Sequence, residues 1–258
     1  MFSNAVELDP RYARAYAGIA DCDSFLFLYY REDVKIETIL DTSAKALALD
    51  DKLAEAHGSR GLALSLMHRV GEAMQEFEKA IELDRNSYEA NYLYARASFA
   101  QGDLERAARL FERAAEIKPD DYQSPCLLIQ VYRSLGRDED SKDAARRGLK
   151  LAERELMLHA EDPRPAHLGA AALVELGEND RAREWISRAL AIDPNDPLTQ
   201  YNVACGYSTL GDFDAAFDLL ERSLPRAGPE IRQWIKHDSD FDPLREHPRY
   251  QKILELIG

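Results

Sequence analysis

Small and large apolar residues recur along the chain at a regular distance. The small ones form a ladder whose steps are 41, 34, 34, 34, 41 and 34 residues, at Ala5, Ala46, Ala80, Ala114, Gly148, Ala189 and Ser223. Larger apolar residues keep the same steps at Leu49, Leu83, Ile117, Leu151 and Ile192. Such a period indicates stacked supersecondary units that share one continuous core.

Each 34-residue period contains two predicted helices. Glycine ends the first helix of a period, and an Asp-Pro or Lys-Pro step separates several periods, with the glycines at Gly102, Gly136, Gly177 and Gly211. Glycine releases the chain from a helix, and proline favours the start of the next one. Small residues also recur at matched positions of both helices. They allow antiparallel helices to pack closely, so the pattern predicts paired helices throughout.

Two insertions of seven residues interrupt the period. Seven residues add almost two helical turns, so a helix can absorb them and keep its apolar stripe in nearly the same direction. We expect one insertion to lengthen a helix from about Arg11 to Tyr30. The other is expected in a helix from about Asp138 to His159.

The period, the small-residue ladders and the Leu-Asp-Pro that closes a unit resemble the tetratricopeptide repeat (TPR) family. The resemblance covers nearly the whole chain. It implies an all-α fold, a right-handed α-solenoid of antiparallel helix pairs (a TPR superhelix) with a C-terminal helical cap. Six units are expected, at residues 13–53, 54–87, 88–121, 122–155, 163–196 and 197–228.

The two ends depart from the repeat. Residues 1–12 match only the last helix of a unit, so we expect a truncated repeat that continues an upstream part; a natural start at Met1 is the alternative. Residues 229–258 are expected to form capping helices. This tail resembles the C-terminal TPR segments of bacterial multidomain regulators fused to a cyclase, a kinase or a winged-helix domain. That resemblance implies a regulatory module.

Asp238, Asp240 and Asp242 alternate along the tail and superficially suggest a calcium loop. They lack the glycine and the distal glutamate of an EF-hand. Helix capping and solvation are therefore the expected roles of these three carboxylates.

Composition excludes several classes of partner. The formal net charge of −14 would repel phosphate groups, so nucleic acid and anionic membranes are not expected partners. The longest apolar run, residues 25–30, is too short to span a bilayer, and residues 1–4 lack the basic segment followed by an apolar one that is typical of a signal peptide. We expect a cytoplasmic protein. Its three separated cysteines fit reduced thiols rather than a disulfide framework.

The sequence offers no sign of catalysis. Phosphate-loop, GxGxxG, GxSxG and HExxH motifs do not occur, and the six histidines lack metal-ligand spacing. We expect a non-enzymatic protein that needs no cofactor and no metal.

The resemblance to TPR proteins implies binding on the inner face of the solenoid, which the first helix of each unit lines in that family. Spacings of i, i+4 and i+7 trace this face through Gly58, Leu62, Ser65, Tyr92, Arg96, Phe99, Cys126, Gln130, Arg133, His167, Ala171, Val174, Tyr201, Cys205 and Ser208. Aromatic and arginine side chains are enriched in binding hot spots. The candidate groove residues are Tyr92, Arg96, Phe99, Gln130, Arg133, His167, Tyr201 and Asn202.

An alternative interpretation remains open: Tyr92 and Phe99 fill gaps between helices, and Arg96 and Arg133 pair with local acids. Asn202 alone matches the two-carboxylate clamp with which some TPR proteins bind chaperone tails, so that activity is not expected.

The predicted function is a protein-interaction scaffold or regulatory module that binds a peptide or protein segment, one with an acidic group near Arg96 and Arg133. Replacing both arginines by alanine is expected to weaken that binding and leave the fold intact. A self-associating scaffold is the second hypothesis, and an enzyme hidden in the helical stack is the third.

Overall fold

The computed structural model describes residues 1–29 and 34–257, and within these ranges every regular element is a helix. The α helices are α1 Phe2–Leu8, α2 Ala13–Tyr29, α3 Ile36–Leu49, α4 Ala54–Leu66, α5 Val70–Leu83, α6 Tyr88–Ala100, α7 Leu104–Ile117, α8 Gln123–Ser134, α9 Asp138–Leu158, α10 Pro163–Glu175, α11 Asn179–Ile192, α12 Pro197–Thr209, α13 Phe213–Ser223, α14 Pro229–Trp234 and α15 Tyr250–Ile257. Two 3₁₀ helices, η1 Leu224–Arg226 and η2 Ser239–Leu244, lie before and after α14. The chain forms an α-solenoid of helix pairs and divides into two compact units, Met1–Ser98 and Phe99–Gly258.

Unit 1 contains two complete helix pairs, α2 with α3 and α4 with α5. Its small-residue positions are buried, as at Ala17, Ala46 and Ala80. The Phe77 ring packs against Gly61, where an added Cβ would lie 2.8 Å from it, and stacks on the Tyr94 ring with the centroids 4.9 Å apart. The alternation of small and large side chains therefore sets how closely the helices approach one another.

Unit 2 contains three pairs, α8 with α9, α10 with α11 and α12 with α13. Helix α10 also contacts α8 and α12, so the three first helices lie side by side. We call α8, α10 and α12 the first-helix layer. The pairs pack tightly: a Cβ added at Gly148 would lie 2.7 Å from the Cys126 sulfur, and one added at Gly169 would lie 2.2 Å from the Trp185 ring.

Both helices that were expected to absorb an insertion are long. Helix α9 has 21 residues, seven more than the 14 of α7 and α11. Helix α2 has 17 residues, whereas α4 and α6 have 13 each. Its predicted end at Tyr30 lies outside the described residues.

One turn geometry joins the helices of four successive pairs, α6 with α7, α8 with α9, α10 with α11 and α12 with α13. Gly102, Gly136, Gly177 and Gly211 have φ between +68° and +83°. In unit 1 the same turn, with a hydrogen bond from the Arg69 amide to the Leu64 carbonyl, places His68 at φ +60°. An L side chain is strained at this φ, so the His68 turn carries a free-energy cost that the four glycine turns avoid.

We therefore predict that His68→Gly stabilises the chain by about 0.5 to 1 kcal/mol, since relief of strain exceeds the added entropy of the unfolded chain. Urea denaturation measures the difference. Met67→Gly is the matched control, because Met67 has φ −88° and gains no relief. A destabilisation of equal size in both variants would contradict this assignment of strain.

Within the described residues beyond α13, two regions pack against different parts of unit 2. Helix α15 packs against α13 and η1 and buries Tyr250, Ile253 and Ile257. Arg249 adds ion pairs to α13 through Asp218, at 2.7 Å, and through two other acids. The intervening residues, α14 and η2, take another course, which forms the candidate site.

Candidate functional site

Residues 234–244 lie on the first-helix layer of unit 2. We call them the C-terminal segment, and we call the surface beneath it the docking face. Helix η2 contacts both α8 and α12. The Ser208 hydroxyl of α12 donates to the Asp240 carbonyl at 2.6 Å, and the Ser239 hydroxyl donates to the Gln130 carbonyl of α8 at 3.5 Å. The segment is thus fixed by its backbone as well as its side chains.

Arg133 is the cation of the docking face. Its guanidinium donates to Glu175 of α10 at 2.6 Å and also to the Asp240 carboxylate of the segment. The Asp240 side chain is only 8% exposed, and burial raises its pKa although the Arg133 charge opposes that rise. Arg133 therefore joins a first helix, its neighbour and the C-terminal segment.

Asp238 anchors the start of η2. Its carboxylate accepts from the Tyr201 hydroxyl at 2.8 Å and from the Asp240 amide at 3.0 Å, and the Cys205 sulfur lies 3.7 Å away. Burial, followed by the charge of Asp240, raises the pKa of Asp238 well above its usual range. Burial also raises the pKa values of the Tyr201 hydroxyl and the Cys205 thiol. Burial therefore opposes ionisation of Asp238, Tyr201 and Cys205, and hydrogen bonds hold these side chains together.

Cys205, Asp238 and Asp240 bring three potential metal ligands within 4.8 Å of one another. Their acceptor oxygens already receive hydrogen bonds from Tyr201, Arg133 and the Asp240 amide. A metal ion would compete with the Arg133 cation for Asp240. The donor set therefore fits segment anchoring better than it fits a metal centre.

Two aromatic contacts complete the docking. The Trp234 ring meets the Phe99 ring edge to face, with centroids 5.0 Å apart. The Phe241 ring meets the Tyr201 ring at 5.3 Å, and both side chains are fully buried. Aromatic pairs of this geometry add about 0.5 to 1.5 kcal/mol beyond area burial.

The structure brings part of the predicted groove together. Phe99, Gln130, Arg133 and Tyr201 all contact the C-terminal segment. His167, on α10, is buried, neither of its ring nitrogens has a hydrogen-bond partner within the described part of the chain, and burial lowers its pKa to about 3.

Three other predicted residues are held by their own helices. In unit 1, Arg96 is buried and donates to the Tyr92 hydroxyl at 3.1 Å, and Tyr92 is also buried. In unit 2, Asn202 is half-buried, and its amide donates to the Leu198 carbonyl at 2.9 Å.

Two expectations need correction. Asp238 and Asp240 are buried rather than solvated, because Tyr201 and Arg133 reach them from the first-helix layer; of the acidic triplet only Asp242 is exposed. Asp238 does cap η2, as expected. Arg133 forms two internal ion pairs, in agreement with the alternative interpretation, so replacing it by alanine is expected to destabilise the fold rather than leave it intact.

Unit 1 carries an acidic ladder of its own. Asp21, Glu55 and Glu89 lie 34 residues apart on the first helices α2, α4 and α6. Burial raises the pKa of Asp21 to about 7, and the charges of Glu89 and Glu55 add to the rise. Its Oδ1 atom is buried and has no hydrogen-bond partner among the described residues.

We predict that Asp21→Asn stabilises the chain at pH 8. The folded state binds a proton at Asp21 that the unfolded chain releases near pH 4, so wild-type stability from this group falls as pH rises through about 7. At pH 8 the gain should be on the order of 2 kcal/mol, and near pH 4 it should vanish. Thermal unfolding at both pH values measures it. An equal gain at both would contradict the assignment.

Comparisons with known proteins agree with this architecture. Models described as tetratricopeptide repeat match residues 66–124 and 167–196. The solved structure of PilF from Pseudomonas aeruginosa has a TM-score of 0.55 at 17% identity and covers 87% of this chain and 97% of its own. Cut9 in the Cut9-Hcn1 hetero-tetramer of the APC/C is similar with a TM-score of 0.62 at 14% identity, over 92% of this chain and 45% of its own.

A curated relative is a DnaJ homolog subfamily C member 7 homolog of Dictyostelium discoideum, 24% identical over 61% of this chain and 32% of its own length. The chain spans between 15% and 32% of the curated relatives it matches. Within residues 1–29 and 34–257, no helix combines the length and apolar character that crossing a membrane requires. The helix pairs, their 34-residue period and the matched models identify tetratricopeptide repeats in this chain.

Proposed function

We propose that this chain is a non-catalytic scaffold that binds a peptide or protein segment on the first-helix layer of unit 2. One observation carries the proposal: the layer already holds an acidic stretch of polypeptide, Asp238 and the 3₁₀ helix η2, through side chains from α8 and α12. Arginine, tyrosine and serine at such positions give directional recognition of carboxylates and backbone carbonyls. The net charge of −14 disfavours nucleic acid as the partner.

The finer features of this function are also proposals. The C-terminal sequence pattern favours a regulatory module in a bacterial multidomain protein, and we propose a cytoplasmic location separately. Tyr92 and Arg96 remain proposed groove residues of unit 1, where both are buried. We propose that His167 of α10 shapes the layer as a neutral side chain and that Asn202 of α12 offers a partly exposed amide to the partner.

A displayed library of random peptides tests the proposal. Peptides selected on the full-length chain would be mapped by hydrogen exchange with the chain intact. Protection concentrated in α8, α10 and α12 is the expected result. Selected peptides that protect only the second helices α9, α11 and α13, or the absence of any selected peptide, would contradict it.

Self-association is the second candidate function. Large apolar side chains are exposed at Leu8 of α1 and at Met157 and Leu158 of α9, and such groups favour contact between copies. Sedimentation equilibrium across a wide concentration range distinguishes the two, because only self-association increases the mass as concentration rises.

A further inference from the structure

The C-terminal segment extends beyond the last helix pair, α12 with α13, which is all that a cap would have to cover. The end of a solenoid needs contacts only with α12 and α13, and α15 already supplies contacts to α13. The segment nevertheless extends to Phe99 at the end of α6 and to Arg133 on α8. His237 also approaches Gly102, where an added Cβ would lie 2.9 Å from its ring. Coverage of the final apolar face does not explain this course.

The contacts distinguish individual residues of a short stretch, Asp238 to Phe241. Arg133 binds one carboxylate and the Tyr201 hydroxyl binds the other. The Ser208 hydroxyl donates to the backbone carbonyl of Asp240, and the Tyr201 ring packs against the Phe241 ring. Charge, spacing, backbone and one aromatic side chain are thus all recognised, which is how peptide-binding grooves obtain specificity.

The segment also holds its own bound conformation. The Arg245 guanidinium donates to the Asp238 carbonyl at 3.2 Å, to the Asp242 carboxylate at 2.6 Å and to the Tyr250 hydroxyl at 2.9 Å. A pre-organised stretch loses less entropy on docking. The Arg245 contacts therefore hold this conformation without any contribution from the docking face.

The energetics favour exchange over permanent closure. Three carboxylates, those of Asp238, Asp240 and Glu175, act on the Arg133 cation. Removing charges from water costs several kcal/mol, and an apolar cover of the same volume would hold the layer more firmly. Burial raises the pKa values of Asp238 and Asp240, which agrees with this cost. A docked segment with these buried charges is therefore easier to displace than an apolar cover of the same volume would be.

We infer that the docking face recognises a protein segment of the pattern Asp-x-Asp-Phe, and that the chain's own residues 238–241 are a tethered copy that a partner's segment must displace. The inference rests on the proposed function and names the chemistry of its ligand. A tether gives the internal copy an effective concentration on the order of millimolar. A free peptide therefore binds the wild-type chain weakly and binds a chain with a loosened segment more tightly.

The experiment uses the full-length chain and a fluorescent peptide with the sequence of residues 236–246. Phe241→Ala removes a fully buried ring from the segment and leaves the docking face unchanged. Ile253→Ala is the matched control, because it empties a buried position of α15 away from that face. A peptide with asparagine in place of Asp238 and Asp240 controls for nonspecific binding.

We expect the peptide to bind the Phe241→Ala chain at least about ten-fold more tightly than the wild-type or Ile253→Ala chains. Adding Arg133→Ala should abolish the gain. Hydrogen exchange on the wild-type chain gives a second readout that does not depend on any variant folding. Excess peptide should speed amide exchange in residues 236–246 while α8 and α12 stay protected.

Three results would overturn the inference. One is the absence of peptide binding to a folded Phe241→Ala chain together with unchanged exchange in the wild-type chain. Another is equal binding by the Ile253→Ala chain. The third is dimerisation of the Phe241→Ala chain without peptide binding, which would make a second copy the occupant. Library peptides that bind the first-helix layer without competing with residues 236–246 would preserve the proposed function and refute only this inference.

Discussion

Replacing Arg133 by alanine is expected to destabilise unit 2 by about 3 kcal/mol, because the buried carboxylate of Asp240 then loses its cation. Glu175, whose side chain is 12% exposed, loses the same partner. The loss should be larger at pH 8 than at pH 5, since Asp240 can take up a proton at the lower pH and remove its charge. Urea denaturation at both pH values measures the difference.

Arg137→Ala is the matched control for this change. Arg137 follows α8 closely and pairs with Asp140 at 2.7 Å, but the two side chains are 38% and 51% exposed. Exposed pairs contribute about 0 to 1 kcal/mol, and the guanidinium lies 4.4 Å from the Tyr132 ring, which adds a small stacking contribution. Equal losses in the two variants would show that Arg133 is not buried against the segment.

Replacing Trp234 by alanine is expected to cost about 3 to 5 kcal/mol. The side chain is 2% exposed and packs on Phe99, so truncation leaves a large cavity between the segment and the docking face. Far-ultraviolet circular dichroism should retain helical signal, because the helix pairs of unit 2 have cores of their own. The midpoint of urea denaturation measures the cost.

Leu254→Ala tests whether any apolar truncation in the C-terminal region has this effect. Leu254 lies on α15 and is 40% exposed, so the expected loss is under about 1 kcal/mol. A Trp234→Ala chain as stable as the Leu254→Ala chain would contradict the close packing of α14 against Phe99.

The paired helices could be predicted because the same pattern of small and large apolar residues recurs in every repeat. Ala46, Ala80 and Ala114 occupy one position in successive units, and close helix packing requires a small residue at each. The length of α9 was predictable for a related reason, since seven added residues keep its apolar stripe in register. The turn at His68 was hidden because a histidine replaces the glycine that marks the other turns.

The candidate face could be traced on its helices, but its occupant could not. Arg133, Tyr201 and Ser208 follow the i, i+4, i+7 stripe of the first helices, so their shared direction is visible in the sequence. Asp240 lies 107 residues from Arg133 in a tail that has no repeat. Nothing periodic relates the two, and an acidic tail by itself indicates solvation. Only tertiary packing shows that its carboxylates are buried.

A double-mutant cycle between Arg133 and Asp240 tests the docking of the C-terminal segment most directly. The free energies of unfolding of the wild-type chain, Arg133→Ala, Asp240→Ala and the double variant isolate the energy of this one contact. Docking predicts a coupling energy of about 2 kcal/mol, since the pair is mostly buried and in direct contact. A coupling energy within about 0.5 kcal/mol of zero would mean that the segment does not occupy the docking face.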